Sequence, residues 1–275
     1  MSQIAHLIRY PGGKRRLLSF LIPHIPTAEQ ITGKYVEPFV GGGALFFYLN
    51  PSQALLSDIN SDLIDIYCGV RYAPHIVWKL YHSFGNNKNS YHKIRDKSEA
   101  SSLPERAARM LYLNRTCFKG MWRHNTNGEF NVGYGGQDRR WVITEETLLL
   151  TSKALKGIQL KCADFETVID NCETGDFLFL DPPYRPGDKE QIHAHYVGQQ
   201  FSFADHQRLA STLIRAKKRG LHWALTTSSH PEITNLFKGY KIHSIPKGTG
   251  RRPGILSNNS GEVLITSYKN RGGLN

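Results

Sequence analysis

Four consecutive residues in this chain combine an acid, two prolines and an aromatic ring: Asp181-Pro182-Pro183-Tyr184, directly after the apolar run Phe177-Leu178-Phe179-Leu180. Neither proline has an N–H to donate and each fixes its φ, so the backbone must leave a strand stiffly here. The Asp181 carboxylate, the proline carbonyls and the Tyr184 ring are then held in fixed relation. Such a set suits a planar heterocycle that carries an amino group. Asp181 and the Pro182 carbonyl can accept both amino hydrogens, and Tyr184 can stack on the ring. The plainer alternative is a strand exit in which Asp181 caps a turn and Tyr184 packs.

Three more stretches carry chemistry. In Arg9-Tyr10-Pro11-Gly12-Gly13-Lys14, a turn delivers Lys14 to the start of a helical stretch, Arg15 to His24. A lysine and free amides there form an anion site, apt for a carboxylate or phosphate, with Tyr10 as cover. In Val36-Glu37-Pro38-Phe39-Val40-Gly41-Gly42-Gly43, a strand runs into a glycine turn and a helix at Leu45 to Leu49. That is the opening unit of a nucleotide-binding α/β sheet, and the glycines let a ligand approach the backbone. A second strand, Ala54 to Asp58, ends in an acid 17 residues beyond Gly41, close to the spacing at which an acid grips ribose hydroxyls. The pair Asp164-Phe165, after a strand around Ile158 to Leu160, has two readings of equal standing. Asp164 accepts from the amino group of a cofactor adenine, or it is a helix N-cap.

The elements that must position these groups alternate as an α/β sheet. The run Leu221 to Thr227 is another buried strand, Phe203 to Lys218 a helix, and Tyr240 to Ile245 with Glu262 to Thr266 an antiparallel edge pair. The alternation is interrupted. From Ala73 to Leu113 the text is helical, polar and basic, with helices at His75 to His82, Tyr91 to Lys97 and Pro104 to Leu113. Then Asn127-Gly128 falls between aromatic-bearing segments, a short-range hairpin signal. Its flanks mix Arg115, Lys119 and Arg123 with Phe118, Trp122 and Tyr134, plus Met121, Asn125 and Asn131. Arginine and asparagine read base edges, and an aromatic can wedge into a base step. A structural hairpin with a solvated face is the competing account.

The net charge is +12, and residues between Gly69 and Gly157 hold fifteen Lys and Arg against seven Asp and Glu. A concentrated excess of that kind suits a polyanion partner. A basic loop with Arg251 and Arg252 is assigned to phosphate contacts, with an ordinary loop as its rival. The polar loop of 16 residues from Arg185 to Gln200 suits a lid. Its His193 and His195 lack further ligands at metal spacing, so no metal is expected. No apolar run approaches a membrane span. Cys68, Cys117, Cys162 and Cys172 contain no C-x-x-C pair and read as reduced, intracellular and structural.

Taken together, these stretches resemble the Dam-type DNA adenine methyltransferases from Arg9 to Thr266. R-Y-P-G-G-K looks like the family's N-terminal motif, with Tyr10 where tryptophan is usual. V-E-P-F-V-G-G-G matches the cofactor turn, S-D-I-N-S-D the following acid, and D-P-P-Y the catalytic tetrapeptide. Y-L-N-R with G-E-F-N-V matches the recognition hairpin. The resemblance implies a Rossmann-like methyltransferase sheet with helices on both faces, plus an inserted helical and β-hairpin target-recognition domain. The catalytic domain would comprise 1–70 and 158–275, and the insertion 71–157. It implies S-adenosyl-L-methionine as cofactor, at Tyr10, Lys14, Glu37, Phe39, Gly41, Gly43, Asp58, Asp164, Phe165 and Asp181. It implies a flipped adenine in duplex DNA, with Arg95 and Gln137 joining the DNA contacts. It further implies a cytoplasmic monomer of a bacterial or phage-infected cell, acting with a restriction endonuclease or alone.

GATC is the family's frequent site. Lys119, Gly133, Gly136 and Gln137 depart from the usual hairpin text, which leaves GATC and another sequence both open. Rival readings are an amino-group methyltransferase acting on cytosine, RNA or a protein glutamine, a nicotinamide-dependent oxidoreductase, and a DNA-binding module without catalysis.

Overall fold

The computed structural model describes residues 7–10, 12–97, 102–136, 143–183, 201–246 and 261–269. Seven strands form one sheet: β1 (Tyr35–Glu37), β2 (Ala54–Asp58), β3 (Gln159–Cys162), β4 (Phe177–Leu180), β5 (His222–Ser228), β6 (Lys241–Ser244) and β7 (Glu262–Thr266). Their order is β3-β2-β1-β4-β5-β7-β6. The first five are parallel, whereas β7 runs antiparallel to both β5 and β6. This is a Rossmann-like, doubly wound arrangement with an antiparallel edge.

The central strands are apolar because both faces are covered. Alternate side chains therefore enter different cores. Tyr35, Phe177 and Phe179 belong to one core, while Val36, Leu178 and Leu180 belong to the other. The second core is closed by α8 (Phe165–Asp170), α9 (Phe203–Lys218) and α10 (Pro231–Thr234). The first includes residues of α2 (Ala44–Leu49) and α3 (Ser61–Tyr72), and extends without a break into the basic segment between β2 and β3.

That segment supplies α4 (Pro74–Ser83), α5 (Lys88–Asp96), α6 (Leu103–Thr116) and α7 (Glu145–Ala154). Side-chain caps start most of these helices. Asn60 accepts from Leu63 N, Asn87 from Ser90 N, and Ser102 and Thr144 form capping boxes. Met110, Leu111, Tyr112 and Leu113 of α6 share a core with Leu63 and Ile66 of α3. The inserted helices are therefore built against the sheet's own packing, and among the described residues no separate apolar core sets them apart.

Two local expectations need adjustment. The stretch after Lys14 is not one helix: a 3-10 turn (Lys14–Leu17), α1 (Leu18–Leu21) and a second 3-10 turn (Ile22–His24) follow one another. Pro23 supplies no N–H to extend α1. The hairpin exists but is irregular. Its arms pair at isolated bridges, Cys117 with Tyr134 and His124 with Phe130, rather than along a continuous ladder, and its turn uses four residues from Asn125 to Gly128. The Asn125 carboxamide closes that turn by accepting from Asn127 N and Glu129 N, which a two-residue turn would not need. Among the described residues no helix is long and apolar enough to cross a membrane.

Candidate active site

The order of connections reverses between β1 and β4, and the crevice at their carboxyl ends is where open α/β sheets bind ligands. Asp181 leaves β4 at that point, followed by buried Pro182 and exposed Pro183. Lys14, only 5% exposed, places Nζ 2.8 Å from Asp181 Oδ1. It also donates to Gly12 O at 3.0 Å. The anion that meets Lys14 here is thus the acid of the tetrapeptide. Thr226 of β5 donates its hydroxyl to the same Oδ1 at 2.6 Å.

Beyond β1, two strands from β4, Asp58 ends β2 and is 6% exposed. Its Oδ2 accepts from Gly41 N and its Oδ1 from Asn60 N, both at 3.1 Å. Burial pushes its carboxyl up to about 6, against the lowering pull of the Asn60, Gly41 and Ile59 backbone N–H groups. Gly41 has φ 45°, and an added Cβ would stand 2.9 Å from the Tyr10 ring. The turn is therefore glycine because both its backbone angle and its cover demand it. Tyr67 donates to Gly41 O at 2.8 Å and pins the turn from below. Burial, with the charges of Asp58 and Asp181, pushes the Tyr10 phenol well above its usual range.

Glu37 lies beneath this surface, accepting from Tyr35 Oη at 3.1 Å. Burial foremost, then the neighbouring Asp181 and Asp58, pushes its carboxyl well above the usual carboxylate range. A nucleoside cofactor fits these groups. Asp58 has four lone-pair sites and retains acceptor capacity for ribose hydroxyls. The glycine turn admits close approach, and Ile59, 61% exposed directly after Asp58, offers an apolar wall.

Asp164 and Phe165 stand at the start of α8. Asp164 is the N-cap and accepts from Glu166 N at 2.9 Å. Arg208 of α9 also grips both its oxygens, at 2.7 and 3.0 Å, and lays its guanidinium over the Phe165 ring at 4.1 Å. Phe165 packs on Phe39 at 5.3 Å, and Phe201 meets both rings. The cap reading of Asp164 is therefore the one observed, in a setting that still leaves an acceptor position on Oδ2.

The residues expected to meet nucleic acid divide sharply. Phe118 is 48% exposed, and Lys119 holds its ammonium 5.1 Å from that ring. Lys119 adopts φ 53°, an uncommon conformation for a residue with a side chain. Arg115, by contrast, is buried and donates twice to Leu7 O, at 3.1 and 2.6 Å. It reaches no base edge from there. Its neighbour Asn114 accepts from Arg9 N and donates to Arg9 O, at 2.8 and 2.7 Å. Together they clamp the segment that carries Tyr10.

Trp122 is likewise buried and lies 5.9 Å from the Tyr10 ring, so it supports the site where a DNA contact was expected. Arg123 braces the hairpin through Asn131, Asn125 closes the turn, and Tyr134 packs on Tyr91 at 5.4 Å. Met121 is half-buried against the same core, and Arg95 pairs with Asp96 at 2.7 Å. His124 joins Asp62, in the first turn of α3, at 2.7 Å.

Tyr184, Gln137, Arg251 and Arg252, the proposed lid with His193 and His195, and the basic loop lie outside the described residues. Among the described residues no group of three or more His, Cys, Asp or Glu could hold a metal ion. Sequence reasoning missed Thr226 and Arg208. Thr226 comes level with Asp181 through the register of β5 on β4, which the apolar run of residues 221–227 does not reveal by itself.

The model of the D12 class N6 adenine-specific DNA methyltransferases matches residues 10–249. A type II methyltransferase of Lactococcus lactis subsp. cremoris is 33% identical, over 95% of this chain and 95% of its own length. A type II methyltransferase of Methanocaldococcus jannaschii is 32% identical, over 97% of this chain and all of its own. The DNA N-6-adenine-methyltransferase of Escherichia phage P1 is 32% identical, over 87% of this chain and 32% of that longer protein.

Proposed function

The chain belongs to the D12 class N6 adenine-specific DNA methyltransferase family, and on that premise we propose how its own residues divide the work. The target's 6-amino nitrogen bonds to the methyl carbon of S-adenosylmethionine as the carbon–sulfur bond breaks, the bonding pair leaving with sulfur and one amino proton passing to solvent. That nitrogen is a poor nucleophile because its lone pair is delocalised into the ring. Asp181 and the Pro182 carbonyl accept its two hydrogens, favouring a pyramidal nitrogen with its lone pair aimed along the line of transfer. This is positioning and electrostatics.

Asp58 receives the ribose hydroxyls of the donor. Ile59, Phe39 and Phe165 wall its adenine, Asp164 accepts from the adenine amino group, and Gly41 to Gly43 lie beneath under Tyr10. Duplex DNA lies along the basic insertion, residues 71–157, with Phe118 and Lys119 entering the helix beside the flipped base. Flipping costs a few kcal/mol, which these contacts offset. The observation that carries this division is the meeting of Lys14, Asp181 and Thr226 at the β1/β4 crevice, with buried Asp58 beyond β1. We place the enzyme, as a monomer, in the cytoplasm of a bacterial or phage-infected cell. The type II naming of two relatives supports an accompanying endonuclease that cuts the same sequence.

The test is transfer of labelled methyl from S-adenosylmethionine to unmethylated duplex DNA, with modified positions mapped and Asp181→Ala alongside. Methyladenine in one short sequence, abolished by the substitution, is the expected result. That map also reads the recognition site, GATC or another. Undiminished transfer by Asp181→Ala would remove the tetrapeptide from the mechanism.

A further inference from the structure

Register pairs Leu180 with Leu225 across β4 and β5, so the next residues of each strand, Asp181 and Thr226, stand side by side. Thr226 is fully buried. Its hydroxyl has two acceptors in reach, Asp181 Oδ1 at 2.6 Å and Leu180 O at 3.3 Å. A hydroxyl carries one proton, and the nearer, charged acceptor takes it. Had the buried hydroxyl needed only a partner, the Leu180 carbonyl of the neighbouring strand would have served.

The same Oδ1 also meets Lys14 Nζ at 2.8 Å. A carboxylate oxygen has two lone pairs, enough for these two donors, and we assign acceptance from the target amine to Oδ2. The two donors differ in stiffness. Lysine is a compact charge on a flexible stem, whereas threonine is β-branched and held at χ1, here within a strand. Of these two donors, threonine is the stiffer constraint on the rotation of the carboxylate plane.

We propose that Thr226 is a positioning residue for methyl transfer: it holds Asp181 Oδ1 and so turns Oδ2 to the hydrogen of the target amine. This rests on the reading of Asp181 as the acceptor for that amine. Near-attack geometry tolerates little error, and a carboxylate free to rotate meets the amine correctly in only part of its population. The loss should appear in the chemical step and leave binding alone, because the donor and the flipped base are held by other groups.

The experiment compares Thr226→Val, Thr226→Ser and Asp181→Ala with the unaltered protein. Three quantities are read: the single-turnover rate of methyl transfer, the affinity for S-adenosylhomocysteine by calorimetry, and the fluorescence of 2-aminopurine at the target position. This base lacks the 6-amino group and reports flipping alone. Thr226→Val should slow the single turnover by about tenfold or more, with affinity and fluorescence within about twofold of the unaltered protein. Thr226→Ser, which restores the hydroxyl, should return to within about threefold. A Thr226→Val rate equal to the unaltered one overturns the proposal. So does Thr226→Ser as slow as Thr226→Val, or a loss of affinity and flipping in step with the rate, since packing would then be the cause. Should Asp181→Ala itself transfer methyl normally, the underlying reading of Asp181 is what fails, and the role of Thr226 falls with it.

Discussion

Replacing Asp58 with asparagine removes one titrating carboxyl from the floor of the proposed cofactor pocket, and its effect on stability should depend on pH in a definite direction. Burial lifts this carboxyl from an ordinary value near 3.8 to about 6 in the folded chain. A lift of about two units corresponds to about 3 kcal/mol, at about 1.4 kcal/mol per unit. Because the folded state holds the proton more tightly than the unfolded one, the group opposes folding once it is ionised. Its penalty is absent below the unfolded value, grows as pH rises through about 6, and is constant above that.

Asparagine carries no such penalty, although it loses one acceptor for the Gly41 and Asn60 amides at every pH. The difference in stability between Asp58→Asn and the unaltered protein, both without cofactor, should therefore move in favour of the variant by about 3 kcal/mol between about pH 3 and about pH 7. Urea unfolding at several pH values measures it, and taking the difference cancels every other titrating group. A difference that stays flat over that range would refute the burial argument. The same linkage makes binding of the nucleoside release a proton near pH 6 in the unaltered protein and none at this position in the variant. Calorimetry in buffers of different ionisation enthalpy reads that release.

Asn114→Ala should cost about 2–4 kcal/mol in urea unfolding, since both the N–H and the carbonyl of Arg9 lose a buried partner. It should also weaken binding of S-adenosylhomocysteine by about tenfold through Tyr10, and unchanged binding would detach the clamp from the pocket. Arg208→Met removes the grip on both oxygens of Asp164 and the cation over Phe165. The KM for the methyl donor should rise by about fivefold or more with kcat nearly unchanged, and an unaltered KM would move the adenine away from the Asp164–Phe165 wall.

The sheet was legible because its central strands are buried on both faces and so read as continuous apolar runs. Phe177 to Leu180 needs no partner to be recognised as such. Asp58 and Asp181 were legible for a related reason: an acid that ends such a run sits at the ligand-binding edge. The short α8 was legible only as one of two equal readings of Asp164, the N-cap, since six residues give too little periodicity to decide. The inward turn of Arg115 was hidden, because its acceptor is the Leu7 carbonyl, 108 residues away in sequence. A basic residue in a basic, aromatic stretch reads as a surface group until its partner is known. Thr226 was hidden because one hydroxyl in an apolar strand looks like β-propensity. Only the register with β4 gives it a task.

The clamp on residues 7–9 also bears on how recognition and catalysis are joined. The N-terminal segment passes between α6 and the hairpin, held by Asn114 and Arg115 on one side. On the other it is crowded by Gly120, where an added Cβ would stand 2.9 Å from Arg9. It then delivers Tyr10 over Gly41 and Lys14 to Asp181. His124 adds a second tie, from the hairpin to the helix that begins three residues after Asp58. The hairpin and the proposed donor pocket therefore share walls, and a shift of the hairpin would be felt at Tyr10 and Lys14. By contrast, the side chains of Phe118 and Lys119 are exposed, in the 3-10 turn (Phe118–Gly120) that begins the hairpin's first arm. Substitution of these two side chains is therefore expected to alter the contact with DNA while the affinity for S-adenosylhomocysteine stays unchanged, and a loss of that affinity would tie them to the pocket.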